Sequence, residues 1–126
     1  MKLKSISGLV CYVKDIAQTA DFYETLGFIV TKRTDDQLSI RLNWFWIDFH
    51  AQASETNDEF KKEAQLGNKG AGQYTYVSVD NVDEVYQEVL AKGLKPSSQP
   101  RDWPWGNREF VLRDPDGYKL VFFQKI

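Results

Sequence analysis

The 126-residue sequence contains a single cysteine, Cys11, and a single histidine, His50. One thiol cannot close an intrachain disulfide, and its isolation fits a reducing compartment. One imidazole and one thiol exclude a structural zinc site of the Cys/His type and argue against a catalytic triad within the chain. An excess of one charge is also missing. Sixteen basic against 18 acidic side chains leave a net charge of -2, which is no electrostatic footprint for nucleic acid. Long apolar runs are absent too. The uncharged stretch from Ser5 to Val13 ends at Lys14 and Asp15, well short of the roughly 20 residues a spanning helix needs and without a cleavage-like segment. A soluble, cytoplasmic protein is therefore the expectation. The 42% hydrophobic and 27% charged composition is globular rather than disordered or fibrous. What the chain has in quantity is aromatic side chains: four Trp, six Tyr and eight Phe.

Apolar residues from Ile6 to Val13 fall on both sides of a two-residue period, Leu9, Cys11 and Val13 opposite Val10 and Tyr12. This pattern predicts a strand buried on both faces. Asp15 stands where a helix N-cap belongs, Ile16, Ala20 and Tyr23 make a stripe with Phe22 and Leu26 beside it, and Gly27 supplies the stop. Strands are expected over Phe28–Arg33, Leu38–Leu42 and Phe45–His50. The second half repeats this order. Tyr74–Val79 reads as a strand, Asn81 as a cap with Glu84 three residues on, and Val82, Val85, Tyr86, Val89 and Leu90 as an amphipathic helix face stopped by Gly93. Strands over Arg108–Arg113 and Tyr118–Gln124 flank the turn Asp114-Pro115-Asp116-Gly117.

Val13 and Val79, Asp15 and Asn81, and Gly27 and Gly93 are each 66 residues apart. One shared offset predicts an internal repeat, against the alternative of two βα units that resemble each other by coincidence. The polar stretch Ala51–Gly72 reads as a linker with one charged helical turn around Glu59–Ala64. The expected architecture is α+β: a single domain over 1–126, with a βαβββ module at about 1–50, the linker at 51–72 and a second βαβββ module at 73–126. A helix covers one face of each sheet and leaves the other for a partner or a ligand. Two such units side by side would make a curved mixed sheet with a concave cleft.

The most specific stretch is Pro104-Trp105-Gly106-Asn107-Arg108-Glu109-Phe110 followed by Asp114-Pro115-Asp116-Gly117. With the paired modules, it resembles the vicinal oxygen chelate superfamily (glyoxalase I, extradiol dioxygenases, bleomycin resistance proteins), and most closely the bleomycin resistance branch. Metal-using members place His, Glu or Gln ligands on inner strands of both modules. The matching positions here are Gly8, seven residues before Asp15; Tyr74, its repeat counterpart; Val121, four residues after Gly117; and Asp48. Gly, Tyr and Val do not replace imidazole or carboxylate, so no metal or other cofactor is expected and the superfamily's metal-dependent chemistry lacks its centre.

Strand alternation puts Trp46, Asp48 and His50 on the face opposite Ile47 and Phe49, Tyr74 and Tyr76 on the face opposite Thr75, Val77 and Val79, which turn toward the helix, and Val121 and Phe123 inward. Trp103 and Trp105 flank Pro104 in a loop. The candidate ligand-binding set is therefore Trp46, Asp48, Tyr74, Tyr76, Trp103, Trp105 and Phe123, with no catalytic residue and no metal. Flat aromatic faces suit a planar heteroaromatic ligand. The resemblance implies non-catalytic capture of such a ligand, a bleomycin-type antibiotic among the candidates, by a homodimer with grooves at the subunit boundary. The alternatives are a binding module for an endogenous metabolite, or a metal-dependent lyase, isomerase or dioxygenase using Asp48, His50 and Glu109. Plain structural roles are also assigned: Trp44 in a strand core, His50 at a surface or strand edge, Cys11 as a buried thiol, and Arg108, Glu109, Arg113 and Asp114 as ion pairs.

Overall fold

The computed structural model describes residues 1–126, which divide into two compact units, 1–67 and 68–126. In the first, β1 (Gly8–Val13) leads into α1 (Ile16–Thr25), followed by β2 (Ile29–Arg33), β3 (Gln37–Leu42) and β4 (Phe45–Ala51). The sheet order is β1-β4-β3-β2, with β1 parallel to β4 and the other neighbours antiparallel. The helix begins at Asp15 because its extended backbone lets the carboxylate accept the Gln18 N–H at 3.1 Å. It ends because Gly27, at φ 93°, turns the chain into the left-handed region while Phe28 N–H returns to the Tyr23 carbonyl. Between α1 and its sheet, Val13, Ile16, Ala20, Tyr23, Leu38, Ile40, Ile47 and Phe49 are each 6% exposed or less. The larger of these side chains contribute about 1.5–3 kcal/mol apiece.

A 3-10 turn (Gln52–Ser54) and α2 (Asp58–Ala64) follow, the latter capped by the Asn57 side chain accepting Glu59 N–H at 2.9 Å. The expected single helical turn is thus a two-turn helix, and it belongs with the first unit.

The second unit repeats the plan with β5 (Thr75–Ser78), α3 (Val82–Ala91), β6 (Arg101–Asp102), β7 (Asn107–Arg113) and β8 (Lys119–Lys125), in sheet order β5-β8-β7-β6 and with β5 parallel to β8. Both ends of α1 and α3 are offset by 66 residues. Asn81 caps α3 by accepting Glu84 N–H at 3.1 Å, the equivalent of Asp15, and Gly93 at φ 81° ends it, the equivalent of Gly27. The core under α3 joins Val77, Val82, Val89, Leu112 and Leu120 to a Phe110–Phe122 stack at 5.0 Å, with Tyr86 edge-on to Phe110.

Several expectations are corrected. The first strand starts at Gly8 rather than Ile6, and Val10 is exposed because α1 covers only the opposite face. Cys11 is half-buried, since β1 is the edge of its sheet. Trp44 is 71% exposed, not core: Leu42 pairs with Phe45, so Asn43 (φ 57°) and Trp44 form a two-residue hairpin loop. Leu90 is exposed because it lies about 100° round the helix from Val89, off the packed stripe. The two-residue β6 was not foreseen; it occupies the outer position of its sheet, as β2 does in the first. No helix is long and apolar enough to cross a membrane.

Candidate functional site

The turn joining β6 to β7 is built by its own sequence. Gly106 N–H bonds to the Trp103 carbonyl at 3.1 Å and Trp103 N–H to the Asn107 carbonyl at 2.8 Å. Pro104 thus takes the second turn position, where its fixed φ is favourable, and Gly106 closes the turn at φ 90°. This geometry stacks the indoles of Trp103 and Trp105 with centroids 4.6 Å apart and 13° between planes. The Arg101 guanidinium lies 3.7 Å from the Trp103 ring centroid. Arg108 pins the base of the hairpin, donating at 3.0 Å to Asp83 on α3 and at 3.1 Å to Asp102 on β6. The guanidinium in turn lowers the Asp83 pKa.

Below the turn, the face of the sheet turned away from α3 carries Tyr76, Glu109 and Phe123. Glu109 and Phe123 are register partners, and Tyr76 meets Phe123 edge-on at 5.4 Å. Glu109 is only 5% exposed. Its Oε2 accepts from Trp105 Nε1 at 3.1 Å and Asn107 Nδ2 at 3.0 Å, and its Oε1 from the Tyr76 hydroxyl at 3.4 Å. Burial and the Glu109 carboxylate together raise the Tyr76 pKa. The site therefore joins Tyr76, Trp103, Trp105 and Phe123 of the expected set. Tyr74 lies on the same face, exposed, with the Lys119 ammonium 4.4 Å from its ring centroid.

Glu109 is the residue that sequence reasoning misassigned. It forms no ion pair; Arg108 uses Asp83 and Asp102 instead. Asp114 accepts Asp116 and Tyr118 backbone N–H groups, and Arg113 donates to the Gly117 carbonyl. The signal that could have found it is period two: Trp105, Asn107 and Glu109 alternate down one side of a hairpin whose turn reads from sequence only as a loop.

Trp46 and Asp48 belong to the first unit. Gly8 pairs with Trp46 and Val10 with Asp48. A Cβ on Gly8 would lie 2.2–2.4 Å from three carbons of the Trp46 indole, so the ring rests on the glycine backbone. On the same face His50 is half-buried and edge-on to Tyr12 at 6.0 Å. The Tyr12 hydroxyl donates to Glu55, and that bond with burial and the carboxylate's charge pushes the phenol pKa up to about 12.

The positions corresponding to the superfamily's metal ligands fit a metal poorly. Tyr76 pairs with Val121 as Val10 pairs with Asp48, so Asp48 and Val121 are counterparts in the two sheets. Of the four positions, Gly8 is covered by Trp46, Tyr74 has an ammonium over its ring, and Val121 is an alkyl side chain 2% exposed. Only Asp48 offers an oxygen ligand of the usual kind. No three His, Cys, Asp or Glu side chains are grouped so as to hold an ion.

Comparison with known proteins gives a consistent picture. The model of the Glyoxalase/Bleomycin resistance protein/Dioxygenase superfamily matches residues 5–122. A bleomycin resistance protein of Geobacillus stearothermophilus is 28% identical over 131 aligned positions, covering 98% of each chain, and one of Staphylococcus aureus matches equally. Among solved structures, a virulence protein of Salmonella typhimurium superposes with a TM-score of 0.77 at 25% identity over the whole of both chains. A bleomycin-binding protein complexed with bleomycin superposes at 0.66 with 20% identity, covering 98% of this chain and 100% of that one; at that identity the likeness concerns the fold.

Proposed function

We propose that this chain, which belongs to the Glyoxalase/Bleomycin resistance protein/Dioxygenase superfamily, captures a small planar aromatic ligand without converting it, a bleomycin-type antibiotic being the first candidate. The observation that carries this reading is the Trp103–Trp105 stack, presented on a rigid Pro104–Gly106 turn with Trp105 58% exposed. Large rings held in a defined orientation yet left open to solvent are poor core and good platform. Tyr76 and Phe123 extend that platform and Tyr74 flanks it. Trp46 and Asp48 form a second candidate patch on the first unit.

Each ring stacked on a ligand contributes about 0.5–1.5 kcal/mol beyond its buried area, and a ligand cation over an indole about 0.5–2. A few such contacts plus burial reach about -8 kcal/mol, or micromolar affinity, with no bond made or broken. Protection by capture requires affinity and abundance, not turnover. The 28% identity to bleomycin resistance proteins over nearly the whole chain supports the ligand class, and the poor fit of the metal-ligand positions argues against the superfamily's metal-dependent reactions. Val10, Trp46, Tyr74 and Tyr76 are exposed on the helix-free sheet faces, which supports a homodimer in which a second copy covers part of them. Sedimentation at the mass of a single chain would contradict that part of the reading.

Titrating bleomycin against intrinsic tryptophan fluorescence tests the ligand. Saturable quenching in the micromolar range is expected, with Trp105→Phe weakening it about tenfold, the effect of roughly 1.4 kcal/mol. A flat titration up to roughly 100 μM, well above the expected constant, would remove bleomycin as the ligand.

A further inference from the structure

We infer that Glu109 is the positioning residue of this site: its carboxylate holds the exposed Trp105 indole, and through the stack Trp103, in the orientation in which they receive a ligand. The inference rests on the ligand-capture reading for its consequence and on geometry alone for the tether. Three of the carboxylate's four acceptor positions are filled, all by neutral donors: Trp105 Nε1, Asn107 Nδ2 and the Tyr76 hydroxyl. No lysine or arginine ion-pairs with it, although Arg101 is its register partner across the hairpin; that guanidinium lies over Trp103 instead.

A buried carboxylate without a cation is a costly way to fill space, and an apolar side chain of similar volume would serve packing as well or better. What the carboxylate adds is direction. The bond to Trp105 is charge-assisted and joins the floor of the sheet to a ring that is 58% exposed. Burial does not hold such a ring; solvent would leave it free to turn about its side-chain torsions. Asn107, two residues away, fixes the carboxylate from the turn side and Tyr76, 33 residues away, from β5, so the hairpin and a strand remote in sequence converge on one oxygen pair. Rigid presentation then lowers the ordering cost that a ligand must meet on binding.

The test uses the full chain. In a proton–nitrogen correlation spectrum the Trp105 indole N–H is assigned by its loss in Trp105→Phe. In the wild type it is expected to exchange slowly with solvent for so exposed a residue. Glu109→Ala should move this resonance towards that of the exposed Trp44 and speed its exchange, leaving the dispersed core amides in place. Glu109→Gln, which keeps one acceptor oxygen, should fall between. Bleomycin affinity should drop about tenfold in Glu109→Ala and severalfold in Glu109→Gln. An unchanged Trp105 resonance in a folded Glu109→Ala or Glu109→Gln chain overturns the tether, as does unchanged bleomycin affinity in either variant of a wild type that binds. If Glu109→Ala does not fold, Glu109→Gln decides alone. If the wild type ignores bleomycin, the ligand reading falls, and the indole resonance still decides for or against the tether.

Discussion

At Gly8 a backbone and an indole share one volume. Glycine is required there by neither a turn nor a positive φ but by the Trp46 ring, whose fused carbons lie where a Cβ would be. Gly8→Ala should therefore displace Trp46 rather than strain the backbone. Because the indole is 39% exposed, it has room to swing outward. The expected cost is ~1 kcal/mol in denaturant unfolding, below the ~1–3 kcal/mol of an overpacked core, with a red shift in tryptophan emission that Trp46→Phe abolishes. An unshifted emission spectrum would show that the ring does not rest on Gly8. Alternation placed Trp46 on the correct face, since period two is local. Its contact with Gly8 was not legible, because it depends on the parallel register between β1 and β4, which lie nearly forty residues apart in sequence. Glu109 was missed only partly for that reason, since Trp105 and Asn107 lie within four residues of it. Its charged sequence neighbours suggested ion pairs, whereas one of its partners, Tyr76, arrives from β5.

The elements themselves were largely readable, because their signals are short-range. Each helix carries its start and stop within its own dozen residues: Asp15 and Gly27 for α1, Asn81 and Gly93 for α3. If the two caps are equivalent in energy as in geometry, Asn81→Ala and Asp15→Ala should each cost about 1 kcal/mol, measured by thermal or urea unfolding, with Asp15→Asn and Asn81→Asp close to neutral. A loss at one cap and none at the other would mean that the repeat holds in backbone only. The stretch around Pro104 reads from sequence only as a loop, not as the turn of a hairpin, because β6 is two residues long and carries too little pattern to register. That short strand matters: with Arg108 tying Asp102 to Asp83, it converts a loop into a fixed mount for two indoles.

On the scale of the whole molecule, two βαβββ units have kept their helices, caps and strand order while their exposed sheet faces have diverged. The first unit lays Trp46 over a glycine, and the second gathers Tyr76, Phe123 and Trp105 around a buried carboxylate. Superfamily membership accounts for the common frame, and the frame does not dictate chemistry. The proposed chemistry is retention by stacked rings without turnover. Isothermal titration of the purified, chelator-treated chain with bleomycin, followed by mass analysis of the recovered drug, addresses this most directly. The account predicts saturable heat with a dissociation constant in the micromolar range or below, and a drug recovered with its mass unchanged. A drug returned chemically altered by the chain, or binding that appears only when a divalent metal is restored, would contradict it.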